Sequence, residues 1–276
     1  MRFTGITGII ALAALLAAPL CAQNQQPRRK KVLAIGEVKG FQHDSVSHAL
    51  ASIERWGKET GLWDTYIRTD TQLVTKQKIP AGNAKNLDYF DTVIFYTTGE
   101  LPMNDEQKKS LLSFVHDDGK GFVGIHSATD TFYQWPEYGE MIGGWFDQHP
   151  WGTFDAPILV EDRNFPATKH MPASFVLKDE IYQMKNWSRD KVRVLMRLDE
   201  NKIDLKNPRV HRTDKDFAVT WVKPYGKGRV FYSTLGHVED VYDNPMIKQM
   251  YVEGIKWALG LTEGDTKSHA KPGATD

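Results

Sequence analysis

The chain has 276 residues, with 35 basic and 35 acidic side chains and a formal net charge of zero. This balance gives no support to nucleic-acid binding, because proteins that bind nucleic acid carry a clear excess of positive charge. The basic run at 28–31 is best explained as a solvated segment before the first strand.

The first 22 residues have the pattern of a secretory signal peptide. Arg2 precedes an apolar stretch at 6–16, and small residues end the segment at Ala22. Cleavage there would remove Cys21, the only cysteine, and with it any disulfide or thiol nucleophile. The mature protein is therefore expected in the periplasm or outside the cell.

Cys21 also leaves open the alternative of a lipid anchor, although the bulky Leu20 before it disfavours that processing. Residues 23–30 are expected to form a linker. No second apolar run is long enough to span a bilayer, so no stable membrane span is expected.

The domain is expected over residues 31–261, and its first half alternates strands with helices. Four strands are predicted, at 31–37, 63–69, 91–97 and 121–125, and the apolar, β-branched runs at 31–37 and 91–97 predict that these two are buried. Apolar residues at three- and four-residue spacing predict the helix after the first strand, with Asp44 or Ser45 as its N-cap. A capping box at 104–107 opens the next helix. The alternation predicts an α/β fold with a parallel, doubly wound sheet and right-handed crossovers.

The second half has weaker periodicity. Residues 132–188 are rich in aromatic residues and glycine, which predicts long loops and short strands inserted above the sheet. Strands are predicted at 192–198 and 217–222, and a turn then leads into 229–234 as a hairpin at one sheet edge. A last helix begins at Asn244-Pro245 and ends at Gly260, and residues 262–276 are expected to be disordered.

Residues 121–128 run from a short apolar strand into a sharp turn that carries His126. Many α/β enzymes hold their nucleophile at this position, and Gly124 and Ala128 are small, as a tight turn requires. An imidazole there indicates proton transfer or metal binding rather than acyl transfer. Ser127 is the alternative residue of this elbow, but it lacks the Gly-x-Ser-x-Gly frame of serine hydrolases.

Ligands of doubly wound sheets bind beyond the carboxyl ends of the strands. Loops at that edge supply His43, Glu100, Asp130 and His237 beside His126. The three histidines could hold a divalent metal such as zinc and keep one position open.

Each of these residues also has a structural explanation. His43 could cap the following helix, and His237 could lock the hairpin to the last helix. His149 and Trp151 lie in the aromatic section and could form a cleft wall. Aromatic faces commonly stack on sugar rings, although tryptophans also fill cores.

Five motifs, in this order and spacing, resemble the ThuA (trehalose-utilisation) family across roughly residues 31–261. They are Phe41-Gln-His43-Asp-Ser45, Gly121-x-x-Gly124-x-His126-Ser-Ala128, Gly143-Gly-x-Phe-x-x-His149-Pro150, Asp179-Glu180-x-Tyr182 and Tyr225-Gly-Lys-Gly-Arg229-Val-Phe231-x-x-x-x-Gly236-His237.

The resemblance implies a class I glutamine-amidotransferase-like fold, which is α/β and flavodoxin-like, with a doubly wound, mostly parallel sheet and helices on both faces. In this fold His126 replaces the usual elbow cysteine, so amidotransferase activity is not expected. It also implies a carbohydrate substrate, specifically oxidised (3-keto) disaccharides or glycosides. No nucleotide cofactor is expected, and a homo-oligomer is left open. A ketone acidifies the neighbouring C–H, so histidine or carboxylate bases could drive isomerisation, elimination or hydrolysis.

The roles expected from this resemblance fall on a small set of side chains. His126 would be ligand or base, with His237 and His43 as co-ligands or acid. The carboxylates expected to orient or share these roles are Glu100, Asp130 and Glu180. The residues expected to contact substrate are Ser127, His149, Trp151, Glu180 and Tyr182.

Two alternatives remain at this point. Asp179-Glu180-x-Tyr182 could simply stabilise the inserted loops. The whole protein could be a non-catalytic carbohydrate-binding or accessory domain. Three clustered histidines with an open position would favour an enzyme, whereas dispersed histidines beside a shallow aromatic groove would favour binding alone.

Overall fold

The computed structural model describes residue 1 and residues 28–82 and 85–272. The expected signal peptide after Met1, with Cys21, and most of the expected linker lie outside the described residues. None of the helices in the described part of the chain has the length and apolarity that a bilayer crossing requires.

Strands and helices alternate through the first half of the domain. The strands are β1 (Lys30–Ile35), β2 (Trp63–Arg68), β3 (Thr92–Phe95), β4 (Gly121–Ile125), β5 (Trp145–Gln148), β6 (Thr153–Val160), β7 (Ser174–Glu180), β8 (Gln183–Lys185), β9 (Arg193–Leu198), β10 (Ala218–Tyr225) and β11 (Gly228–Ser233). The helices are α1 (Ser45–Thr60), α2 (Asp105–His116), α3 (Pro136–Ile142), α4 (Asp240–Asp243) and α5 (Pro245–Ala258).

Nine strands form one sheet in the order β2-β1-β3-β4-β11-β10-β9-β6-β7. The four pairs from β2 to β11 are parallel, whereas the four pairs from β11 to β7 are antiparallel. The order β2-β1-β3-β4 is the flavodoxin-like one, which confirms the predicted fold class. β5 and β8 make a separate two-stranded sheet.

The hairpin of β10 and β11 forms, but it lies inside the sheet, so its predicted edge position is wrong. β11 pairs in parallel with β4, and its residues Val230, Phe231 and Tyr232 are fully buried. The edge strand on that side is instead β7, which pairs with β6, and both strands come from the aromatic section. That section was expected to lie above the sheet, and only β5 and β8 lie outside the main sheet. Alternating half-exposed residues in β7 explain the difference, because an edge strand resembles a loop in its hydropathy.

The sheet separates two hydrophobic cores because successive side chains of a strand point to opposite faces. Val32 and Ala34 of β1 pack in one core with residues of α1 and α5, whereas Leu33 and Ile35 pack in the other with residues of α2 and α3. Burying each Val, Leu or Ile side chain contributes about 1.5–3 kcal/mol. Helices therefore cover both faces, as predicted.

All three predicted helix starts are confirmed, since α1 begins at Ser45 with Asp44 in the N-cap position, and two of the three also have the predicted side-chain cap. Asn104 Oδ1 accepts from the Gln107 N–H at 2.9 Å, and Gln107 Oε1 accepts from the Asn104 N–H at 3.1 Å. Asn244 caps α5. α1 differs, since neither Asp44 nor Ser45 caps it through its side chain. The Ser45 hydroxyl turns into the core instead and donates to the Gly236 carbonyl at 2.8 Å.

The segment after Leu261 was expected to be disordered, but its described part, 262–272, lies against the domain. Arg229 contacts Glu263 at 2.8 Å, and Arg193 contacts Asp265 at 2.8 Å. These ion pairs give a polar segment contacts that hydropathy alone does not predict.

Candidate functional site

The elbow after β4 places His126 in an unusual backbone conformation. β4 passes into a 3₁₀ turn over His126–Thr129, and His126 has φ +44°, a left-handed value that costs energy for a residue with a Cβ. Gly124 cannot be enlarged, because a Cβ there would lie 2.9 Å from Tyr232 Cδ2 and 3.2 Å from Ala128 Cβ. The elbow thus buries the imidazole completely at the carboxyl edge of the sheet.

Four side chains of types that commonly bind metals converge at this edge from separate elements. His43 precedes α1, His126 follows β4, Glu180 ends β7 and His237 follows β11. Each offers one nitrogen or oxygen atom, and these atoms all lie within 4.8 Å of one another. Over residues 28–82 and 85–272, this is the one group of three or more His, Cys, Asp or Glu side chains close enough to share an ion. We call it the histidine cluster.

Hydrogen bonding fixes the tautomer of His126. Its Nδ1 lies 2.6 Å from the backbone carbonyl oxygen of Thr234, which can only accept, so Nδ1 carries the proton. Its Nε2 therefore presents a lone pair to the cluster and accepts from the Tyr182 hydroxyl at 2.9 Å. Ligating histidines in proteins are usually held in this way, with one ring N–H donated to a carbonyl or carboxylate.

The other two histidines have ring nitrogens without partners. The Nδ1 atoms of His43 and His237 are buried and have no hydrogen-bond partner among the described residues. His237 Nδ1 lies 3.5 Å from Glu180 Oε1, and His126 Nε2 lies 3.8 Å from the same oxygen. Buried polar atoms without partners are rare, and they fit a group that binds an ion.

Burial sets the charges of the cluster. It lowers the pKa of His43 to about 4, helped by the neighbouring His237, and it lowers the pKa of His126 well below its usual value. The pKa of His237 is also lowered, chiefly by burial. Burial and the adjacent Asp179 raise the pKa of Glu180 to about 7. At neutral pH the three imidazoles are therefore uncharged, which is the form that binds a metal.

A cavity of about 260 Å³ opens onto the cluster. Aromatic rings flank its mouth: Phe41 is 64% exposed and stacks 6.4 Å from His237, and Phe146 stacks 5.8 Å from His149. The cavity is lined by Phe41, His43, Asp130, Phe146, His149, Glu180, Tyr182 and His237.

Two further depressions differ in their relation to the cluster. An adjoining cavity of about 300 Å³ shares Phe41, His43 and His237 with the first and is lined mainly by polar residues. The larger depression of about 500 Å³ lies along α2 and is lined by none of the cluster residues. Volume alone would select the wrong place, since the convergent polar groups mark the cavity at the cluster.

Several residues that the sequence analysis predicts as site residues line the 260 Å³ cavity at the histidine cluster. Asp130 accepts from the Tyr133 hydroxyl at 2.6 Å, and burial raises its pKa. His149 Nδ1 lies 3.3 Å from Glu180 Oε2. The Tyr182 hydroxyl lies between His126 and His43, 3.4 Å from His43 Nε2.

Three predicted site residues lie elsewhere. Glu100 is exposed, and its carboxylate accepts from the Gln134 N–H at 3.2 Å. Trp151 donates its indole N–H to the Asp204 carbonyl and packs against the core rather than the cavity. Ser127 is fully buried beside the elbow and does not line the cavity.

Sequence reasoning did not select Phe41 and Phe146 as site residues. Both belong to the motifs that hold His43 and His149, two and three positions before these histidines. An aromatic residue so close to a loop histidine was the available signal.

Comparisons with known proteins agree with this fold. A family model described as ThuA, trehalose utilisation, matches residues 31–258. A ThuA-like protein from Bacteroides uniformis is 22% identical with a TM-score of 0.69, covering 86% of this chain and 94% of that one. A ThuA-like protein from Parabacteroides merdae is 17% identical with a TM-score of 0.65, covering 88% of this chain and 98% of the other. These two likenesses show the fold alone, and no curated protein matches the chain.

Proposed function

The chain belongs to the ThuA, or trehalose utilisation, family, and we propose that it processes carbohydrates at the histidine cluster. The observation that carries the proposal is the convergence of four buried or half-buried ligating side chains from distant parts of the sequence. Three of them have neutral imidazoles at neutral pH, and one of these is held in a ligating tautomer.

The three histidines fit a divalent metal such as zinc. Atoms bound to a tetrahedral zinc at about 2.0–2.2 Å lie roughly 3.3–3.6 Å apart. The ligand atoms of the histidine cluster all lie within 4.8 Å of one another, so the imidazoles would have to move closer together to share one ion. When bound, such an ion would supply a Lewis acid for a sugar oxygen.

Glu180 is suited to move a proton beside the histidines. Its pKa of about 7 lets it accept and return a proton near neutral pH, and its carboxylate borders the cavity. His149 contacts its second oxygen and orients it. Asp130, which borders the same cavity, is a second carboxylate for the same kind of step.

The proposed substrates are oxidised (3-keto) disaccharides or glycosides. A ketone makes the neighbouring C–H acidic enough for Glu180 to remove its proton and form an enolate. Return of a proton to another position gives isomerisation, whereas loss of the β-oxygen substituent, protonated as it leaves, gives elimination. Addition of water to the eliminated product gives net hydrolysis. The rings of Phe41 and Phe146 can hold the apolar face of a sugar. The two adjoining cavities offer room for two linked rings.

The rival proposal is a carbohydrate-binding or accessory domain without catalysis. Dispersed histidines beside a shallow groove would support it, whereas here the three histidines are clustered, with His43 and His237 lining the cavity and His126 fully buried next to them. We further propose that the protein acts in the periplasm or outside the cell, on the strength of the signal-like pattern at 1–22.

Turnover assays test the proposal. The wild-type protein and H126A are incubated with a panel of 3-keto glycosides and with the unoxidised parents. Wild type is expected to convert only the 3-keto compounds, and H126A to lose the activity. Tight binding of sugars with no conversion of any compound would favour the rival.

A further inference from the structure

Asp179 is a buried carboxylate that the proposed chemistry does not use. It is completely shielded from solvent at the end of β7, directly before Glu180 of the histidine cluster. A buried carboxylate is costly unless hydrogen bonds compensate it, so its partners indicate its role.

Those partners lie on both sides of His237. Asp179 Oδ2 accepts from the Gly236 N–H at 2.6 Å, and Oδ1 accepts from the Val238 N–H at 3.2 Å. The Asp179 carboxylate therefore binds the backbone on both sides of His237, whose side chain belongs to the histidine cluster. These two hydrogen bonds fix the backbone on either side of His237.

The same turn is also held from its carbonyl side. The Gly236 carbonyl oxygen lies within hydrogen-bond distance of the Ser45, Tyr96 and Tyr242 hydroxyls, at 2.8, 2.9 and 3.1 Å. Gly236 has φ +128°, and a Cβ there would lie 2.0 Å from the Tyr242 hydroxyl oxygen. The backbone before His237 thus has little freedom.

We propose that Asp179 is a positioning residue that holds His237 in its ligating place. This inference rests on the proposed metal site. His237 is the most exposed of the three cluster histidines and follows a strand without entering a helix. If the backbone of this loop were mobile, it would lose conformational freedom when the ion binds, and that loss would lower the affinity for the ion. Partners that orient a ligand typically account for about 10–100-fold in metal affinity.

The test compares Asp179 with a second buried aspartate that also binds backbone N–H groups. Asp162 accepts from Asn164 and Phe165 at 2.9 and 3.2 Å and contacts Arg193, and none of these residues lines the cavity. D162N is therefore the matched control for loss of stability without loss of the site. D179N keeps the side-chain shape and one acceptor oxygen, whereas D179A removes both.

Zn²⁺ and Co²⁺ affinities are measured for wild type, D179N, D179A and D162N as full chains, together with unfolding of the metal-free proteins. D179N is expected to bind both ions about 10–100-fold more weakly than wild type and to change the Co²⁺ absorption spectrum. D162N is expected to keep wild-type affinity at comparable loss of stability. If D179A does not fold, D179N alone decides.

Two outcomes separate the inference from the function on which it rests. Wild-type binding with unchanged affinity in D179N would overturn the role of Asp179 and leave the metal site standing. A wild type that binds neither ion would overturn the metal site and the inference together.

Discussion

His126 Nδ1 lies 2.6 Å from the carbonyl oxygen of Thr234, the residue that directly follows β11. This bond links the elbow after β4 to the end of the neighbouring parallel strand. It leaves His126 Nε2 free to act as a base or ligand, and in the structure the Tyr182 hydroxyl donates to that atom. His126 Nε2 thus carries no proton of its own, and a metal ion bound there would replace the Tyr182 hydroxyl as its partner.

The first prediction concerns that hydroxyl. Y182F removes the donor to His126 Nε2 and leaves the Nδ1 bond to Thr234 intact. Metal affinity is expected to equal or exceed that of wild type, because the lone pair loses a competing partner. The lost hydrogen bond is expected to cost about 1 kcal/mol of unfolding free energy. Zinc titration checks the affinity, and a drop of tenfold or more would mean that the phenol oxygen is itself a ligand.

The second prediction separates metal binding from proton transfer. E180Q keeps the size of the side chain but cannot accept a proton. It is expected to retain the metal and to lower kcat on a 3-keto glycoside by about 10²–10⁴-fold. The matched control is E253Q, a similarly buried glutamate of α5 that pairs with Lys256. Metal loss in E180Q equal to that in a histidine variant would make Glu180 a ligand instead.

The third prediction concerns the exposed aromatic wall. F41A is expected to raise KM for a 3-keto glycoside about three- to tenfold, because stacked aromatic contacts contribute about 0.5–1.5 kcal/mol. Its unfolding free energy is expected to change by less than about 0.5 kcal/mol, since the ring is largely exposed. V176A, a comparably exposed apolar residue of β7, is the control. Equal KM values for F41A and V176A would exclude Phe41 from the substrate site.

How far the sequence predicts this site depends on the origin of each residue. His43, His126 and His237 each follow a strand of the parallel part of the sheet, so topology alone brings them to one edge. Glu180 belongs to β7 at the far end of the sheet. It reaches the cluster because the segment after β7 lies against the end of β11, where the Tyr182 N–H donates to Thr234 Oγ1 at 3.2 Å. That path is a long-range feature that local patterning does not encode.

The errors in the fold have a similar cause. A hairpin signal predicts that β10 and β11 pair with each other, but it does not predict which strands lie on their other sides. The sequence therefore does not show that β11 also pairs with β4. Glu100 was selected because it follows β3, yet its side chain turns to the Gln134 N–H at the surface. The direction of a loop side chain depends on tertiary contacts.

The fourth prediction is that stability depends on pH through Asp91, which lies directly before β3, at the end of the strands opposite the histidine cluster. Burial raises the pKa of Asp91, but the Lys31 N–H and the Lys120 and Lys30 ammonium groups outweigh it, so the pKa is lowered. A lowered folded-state pKa stabilises the protein above the unfolded value of 3.8, and this contribution is lost as pH falls through the folded value.

Replacing Asp91 by asparagine should therefore matter only where the carboxylate is charged. D91N is expected to lower the unfolding free energy by about 1 kcal/mol at pH 7 and to match wild type once pH falls below the folded pKa. Urea unfolding at several pH values measures this. D155N, at an exposed position of β6, serves as the control. A difference between D91N and wild type that stays constant across pH would contradict the electrostatic explanation.

The most direct test of the histidine cluster is the metal content of the mature protein purified without a histidine tag. Wild type is measured beside H126A, H237A and H116A, the last an exposed histidine at the end of α2. We expect about one divalent ion per chain in wild type and H116A, and only a substoichiometric background in H126A and H237A, because each of these variants lacks one of the three proposed ligands. The same substoichiometric background in all four proteins would contradict the metal site.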